Sequence, residues 1–123
     1  MSEEKMWLIQ AKQDLISAQK NHEQGIYYAA SFLAQPAAEK ALKAHIIVKE
    51  KKLIKVHDLV FLAKKAKLPD SFLDSCEKLT QAYIQTKYPD LAGSLPRDKF
   101  SKQISQENIH IAEKIIEWTE KKI

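Results

Sequence analysis

The sequence predicts an all-α protein, folded as an antiparallel up-and-down four-helix bundle with one extra short helix. Three observations predict it. Two glycines and four prolines in 123 residues are too few for the turns that a sandwich or barrel spends every ~10 residues. Apolar side chains recur at spacings of three and four through most of the chain. The balance of 45% hydrophobic and 29% charged residues belongs to a globular chain and excludes a disordered one. Residues 1–123 suit a single domain, and no linker, repeat or low-complexity segment divides them.

The first helix is expected from about Glu3 to Asn21, because Trp7, Ala11, Leu15 and Ala18 share one face. Ser2 stands where an N-cap belongs, with Glu3 and Glu4 in the first turn, and Asn21 and Gly25 mark the end. The second helix, roughly Ile26 to Lys51, is apolar on two faces, one through Ala29, Phe32, Leu33 and Ala37, the other through Ala30, Ala34, Ala38 and Leu42. Such a helix belongs at the centre of a bundle or at a subunit interface. Pro36 is expected to kink or split it near Phe32–Leu33. A short third helix carries Leu59, Leu62, Ala63 and Ala66. Pro69-Asp70-Ser71 stops it and starts a fourth, which bears Phe72, Cys76, Leu79 and Tyr83 and ends before Pro89. Pro89 to Phe100 reads as the one real loop. The last helix starts at Ser101 or Ser105 and aligns Ile104, Ile111, Ile115 and Trp118.

Composition bounds the function. Twenty Lys and Arg against 16 Asp and Glu give a net charge of +4, a mild bias towards anionic partners such as nucleotides or RNA. Arg97 is the only arginine, so bidentate phosphate recognition is confined to that place. The lone Cys76 sits beside Phe72 and Leu79 at helical spacing, which points to core packing. No apolar run approaches the ~20 residues of a membrane span. Met1 to Lys5 leads into no apolar stretch of a secretion signal, so a cytoplasmic protein away from the membrane is expected.

Most catalytic templates fail. Two glycines cannot build a phosphate-cradling loop. Glu107-Asn108-Ile109-His110 matches the Glu-x-x-His of di-iron bundles, but no second copy exists, so neither metal nor cofactor is expected. His22 and His45 lie late in the first two helices, where a cation favours the carbonyl ends. His57 precedes the third helix beside Asp58, either capping it or meeting an anion at its N-terminus. Glu39 and Lys43 form an i, i+4 pair of the kind usually solvated. Lys40 falls near an apolar face and needs a partner. Asp14, which interrupts the stripe of the first helix, is the candidate by type, as an inter-helix ion pair or a ligand-orienting group. Lys87, Tyr88 and Asp90 close the fourth helix, where dipole and cap explain them as well as phosphate contact, base stacking and orientation do.

Taken together, Trp7…Ala11…Asp14-Leu15…Ala18, Tyr28-Ala29-Ala30, Gln35…Ala37-Ala38-Glu39-Lys40-Ala41-Leu42-Lys43-Ala44, Val56-His57-Asp58-Leu59 and Lys87-Tyr88-Pro89-Asp90 resemble the HEPN domain family in order and type. The resemblance covers roughly Trp7 to Asp90. It implies an up-and-down helical homodimer that binds a nucleotide or RNA and often works with a minimal nucleotidyltransferase as a toxin–antitoxin pair. Many relatives are metal-independent ribonucleases that join an Arg and a His, a few residues apart, across the dimer. Here the positions following Arg97 where that His would fall are Lys102, Gln103 and Ile104, so the motif is absent. The expectation is a non-catalytic binding module with Asp14, Lys40, His57, Lys87, Tyr88 and Asp90 at its ligand. The alternatives are a ribonuclease with a variant site, using Lys87 with His57 as general base, and a purely structural interaction subunit.

Overall fold

The computed structural model describes all 123 residues, and every regular element in it is helical. The chain forms α1 (Glu3–Glu23), α2 (Tyr27–Glu50) and α3 (Leu59–Lys65). A 3₁₀ turn (Asp70–Phe72) then leads into α4 (Leu73–Lys87), two short helices α5 (Pro89–Ala92) and α6 (Pro96–Lys99), and α7 (Lys102–Lys122). None is long and apolar enough to cross a membrane.

The turn between α1 and α2 follows from its residues. Gly25 takes φ +79°, its N–H donates to the His22 carbonyl, and the Ile26 N–H reaches back to Asn21. That double return is a Schellman ending, which wants a residue without Cβ in the left-handed position. The chain therefore reverses, and α2 runs back along α1, joined by Lys40 to Asp14. Lys12 at the middle of α1 meets Glu120 near the end of α7, and His22 near the end of α1 meets Ser105 near the start of α7, so α7 also runs antiparallel to α1. α4 packs on α2 through the stacked rings of Phe32 and Tyr83.

α2 is the centre. Ala30, Ala34, Ala37, Ala38, Ala41, Ala44 and Leu42 are wholly buried, and α1, α3, α4 and α7 all pack against it. The face through Ala30, Ala34, Ala38 and Leu42 is wholly buried inside the chain, whereas Ala29, Phe32 and Leu33 on the other face are only partly covered. Alanine at these positions lets neighbouring backbones approach closely, while Leu59, Leu62, Leu79 and Ile115 fill the remaining core.

Three local expectations need correction. Pro36 lies within α2 and does not split it, since packing on several sides holds the turns around the missing hydrogen bond. Ser2 occupies the N-cap of α1, yet its side chain caps nothing. The segment after Tyr88 is not one loop: Pro89 and Pro96 each open a four-residue helix from its first turn, where proline's fixed φ fits. The start of α7 resolves to Ser101, whose hydroxyl accepts from the Ile104 N–H, whereas Ser105 is fully buried within the helix.

Candidate ligand-binding site

Gln35, Glu39 and Lys43 form a stripe along α2, each one turn from the next. Glu39 is its hub. Oε2 accepts from Lys43 Nζ at 2.9 Å and lies 2.9 Å from His57 Nδ1, while Oε1 accepts from Gln35 Nε2 at 3.2 Å. His57 itself is 84% exposed on its side chain, but Glu39 and Lys43 are 12% and 4% exposed. The Glu39–Lys43 pair is thus buried, against the expectation of a solvated one. The reason is the central place of α2 together with Trp7, whose ring centroid lies 5.5 Å from Lys43 Nζ. Asp58, not His57, caps α3, its carboxylate accepting from the N–H groups of Val60 and Phe61.

Burial pushes the Glu39 carboxyl upwards, yet the hydrogen bonds from Lys43, His57 and Gln35 and the Lys43 charge outweigh it and hold the group below 4.5. His45, 5% exposed with its Nδ1 unpartnered and its ring 4.8 Å from Trp118, shifts down from 6.5. Burial is the main cause, and the charges of Lys49 and Lys122 add to it. In both cases the unfolded chain binds more protons, so stability falls as pH drops: first below 6.5 through His45, then below 4.5 through Glu39. Thermal midpoints measured across that range will fall in the parent, and His45→Gln will flatten the upper step alone.

Asp14 and Lys40 meet at 2.6 Å, the partnership their positions in apolar stripes called for. Gln10 donates a second hydrogen bond to Asp14 at 2.8 Å. Lys40 also lines a depression of about 320 Å³ with Met6, Trp7 and Gln10, so Trp7 borders both ion pairs. Every cation in this region is already matched by a carboxylate.

Lys87 is different. It makes no ion pair; its Nζ lies 5.6 Å from the Tyr83 ring and 5.7 Å from the Tyr88 ring, and Tyr83 stacks on Phe32 at 4.8 Å. Tyr88 is 45% exposed. One turn before Phe32, Tyr28 borders a depression of about 430 Å³ together with Leu95, Pro96 and Arg97. Asp90 is exposed in the first turn of α5 and makes no hydrogen bond or ion pair with Lys87 or Tyr88. The six residues singled out in the sequence therefore fall into four places: Asp14 with Lys40, His57 on Glu39, Lys87 with Tyr88, and Asp90 alone on the helix that follows. Glu39, Lys43, Trp7 and Tyr83 were missed, although a charge pair on a helix apolar all round was a signal that it would be buried.

Two reactive residue types are out of reach. The Ser105 hydroxyl is 2.9 Å from the His22 imidazole but fully buried, so the contact pins α1 to α7 and presents no nucleophile. Burial pushes the Cys76 thiol up to about 11, in keeping with core packing. No three His, Cys, Asp or Glu side chains gather where they could hold a metal ion.

A model of the HEPN domain matches residues 4–123. Among solved structures, the TT1696 protein of Thermus thermophilus superposes with a TM-score of 0.90 at 28% identity over 100% of both chains. ST0689, described as an archaeal HEPN homologue, gives 0.83 at 27% identity over 98% of each. No curated protein sequence matches.

Proposed function

Because the chain belongs to the HEPN domain family, matched over residues 4–123, we propose that it is a non-catalytic member that binds a nucleotide or single-stranded RNA. The observation that carries the reading is Lys87 beside Tyr88. Of the cationic side chains singled out, it alone is not taken up by a carboxylate, and an exposed ring stands next to it. A phosphate needs an uncommitted cation and a base needs a free face, and both are offered within one helical turn. Asp14, Lys40 and His57 stand apart from this contact, Lys40 held by Asp14 and His57 by Glu39, and in this reading Asp90 faces the ligand from α5. The whole chain works as one domain, an up-and-down four-helix bundle, in the cytoplasm. It acts as a homodimer with a minimal nucleotidyltransferase, in the manner of a toxin–antitoxin pair.

One observation favours the ribonuclease reading. Glu39 engages His57 at Nδ1 and leaves Nε2 unpaired, as a general base would require. A single set of samples separates the cases. Titration of labelled protein with ATP, GTP and a short single-stranded RNA is expected to shift amides around Lys87 and Tyr88, with RNA intact in the absence of metal and a dimer mass in light scattering. Cleavage would move the assignment to His57. Silence from all three ligands would overturn it in favour of a protein-binding subunit.

A further inference from the structure

One end of the bundle gathers lysines. The last turns of α2 and α7 lie together there, because the His45 ring packs 4.8 Å from Trp118 and feels the charges of both Lys49 and Lys122. An ion pair of 3.4 Å between Lys65 and Glu50 brings the end of α3 beside them. Lys49, Lys51 and Lys52 at the end of α2, Lys67 after α3, and Lys121 and Lys122 on α7 are all exposed, and none is in an ion pair. Glu50 and Glu120 are held by Lys65 and Lys12, which leaves Glu3 and Glu4 of α1 and Asp70 after α3 as the side-chain carboxylates not so held. From Phe32, against which α4 packs, to Lys49 the helix rises about 25 Å, so this end stands well away from Lys87 and Tyr88.

The helix dipole explains why a lysine is favoured near a helix end, but not why it stands on the one residue that has to be left-handed. Lys51 and Lys67 do so; they are the residues other than glycine with a positive φ, 60° in each. Lys67 donates its N–H to the Lys64 carbonyl and Leu68 to that of Ala63, the same double return that Gly25 and Ile26 make after α1. Lys51 caps α2 in the left-handed conformation that Gly93 takes after α5. Glycine fits such turns without strain, and the chain uses it at the other two. At this end it keeps a side chain instead, and both times that side chain is a lysine.

The chemistry that uses such a surface is a polyanion. Of the large apolar side chains, only Ile123 is exposed on the segments that carry these lysines, too little for the core of a protein interface or for insertion into a membrane. A phosphate backbone needs neither, since charge alone binds it. Trp118, the one aromatic side chain on these segments, already has His45 at 4.8 Å and the Lys122 Nζ at 6.0 Å from its centre, which leaves little ring for an unpaired base. A duplex, whose bases are stacked among themselves, asks for no such ring. We propose that this lysine-rich end binds the phosphate backbone of a nucleic-acid duplex, with Lys51 and Lys67 supplying a phosphate contact each.

The probe is a short blunt RNA duplex, whose paired bases offer nothing to Tyr88, titrated into labelled protein at several salt concentrations. Lys51→Gly combined with Lys67→Gly is expected to keep or raise the thermal midpoint, because glycine suits both turns. The same variant should bind the duplex about tenfold more weakly and lower the slope of log affinity against log salt by about two, one for each phosphate contact. Lys49→Gln combined with Lys122→Gln touches neither turn and should weaken binding by a similar factor. Tyr88→Ala should bind the duplex as the parent does, so the fate of the stacking site does not decide this one. The proposal is overturned if either double variant binds the duplex as tightly as the parent, or if the amide shifts fall around Lys87 and Tyr88 instead. It is equally overturned if phosphatidylserine vesicles bind more tightly than the duplex at the same salt, which would make this end a membrane contact.

Discussion

Replacing Glu39 by alanine lowers the unfolding free energy by about 3–5 kcal/mol, the cost of leaving one half of a buried ion pair alone. The partner left behind is Lys43, 4% exposed, with Trp7 against its ammonium. Water cannot replace the lost carboxylate at so closed a position. The same substitution removes the contacts of Glu39 to the His57 ring and to Gln35, leaving the Gln35 amide on the His57 carbonyl as a side-chain tie from α2 to the segment before α3. In urea the midpoint falls accordingly, and the thermal midpoint drops by about 12–19 °C for a domain of this size. Glu39→Leu combined with Lys43→Met should recover most of the loss, because an apolar pair of similar volume avoids desolvating two charges. A loss below about 1 kcal/mol in Glu39→Ala would mean that the Lys43 stem bends its ammonium out to water, and the pair would then be a surface feature after all.

That pair shows where sequence reasoning stops. Spacing of i, i+4 says that Glu39 and Lys43 share a face, but not which face is covered. The answer lay in the neighbours: a helix with alanine at 30, 34, 37, 38, 41 and 44 has little polar side left to offer. Asp14 and Lys40 were legible for the opposite reason, since each is a lone charge in an apolar stripe and must find the other. The Glu39–His57 contact was not legible, because it depends on how the chain returns between α2 and α3, and no local pattern records that path. Four-residue helices at Pro89 and Pro96 escaped similarly; so short a run has no periodicity to detect. The four long helices were legible almost to the residue at most of their ends, whereas the gathering of lysines at one end of the bundle was not. Each helix's pattern tells which side is apolar, not which helix ends meet.

Within the proposed nucleotide site, Tyr88→Ala should weaken binding of a short single-stranded RNA about fivefold to a hundredfold, the span of one lost base–aromatic stack at about 1–3 kcal/mol. Tyr88→Phe should bind as the parent does, because the face of the ring and not its hydroxyl makes the contact. Lys87→Met should weaken binding less at physiological salt and lower the salt slope by about one counterion, the mark of a single phosphate contact. Lys40→Met is the discriminating control. Its ammonium already lies 2.6 Å from Asp14, so drawing it onto a phosphate would break one charge pair to make another, with little net gain. RNA affinity should therefore stay at the parent level while stability falls. The opposite pattern, loss in Lys40→Met and none in Tyr88→Ala, would place the ligand at the Trp7 depression and mean that Asp14 yields its partner on binding.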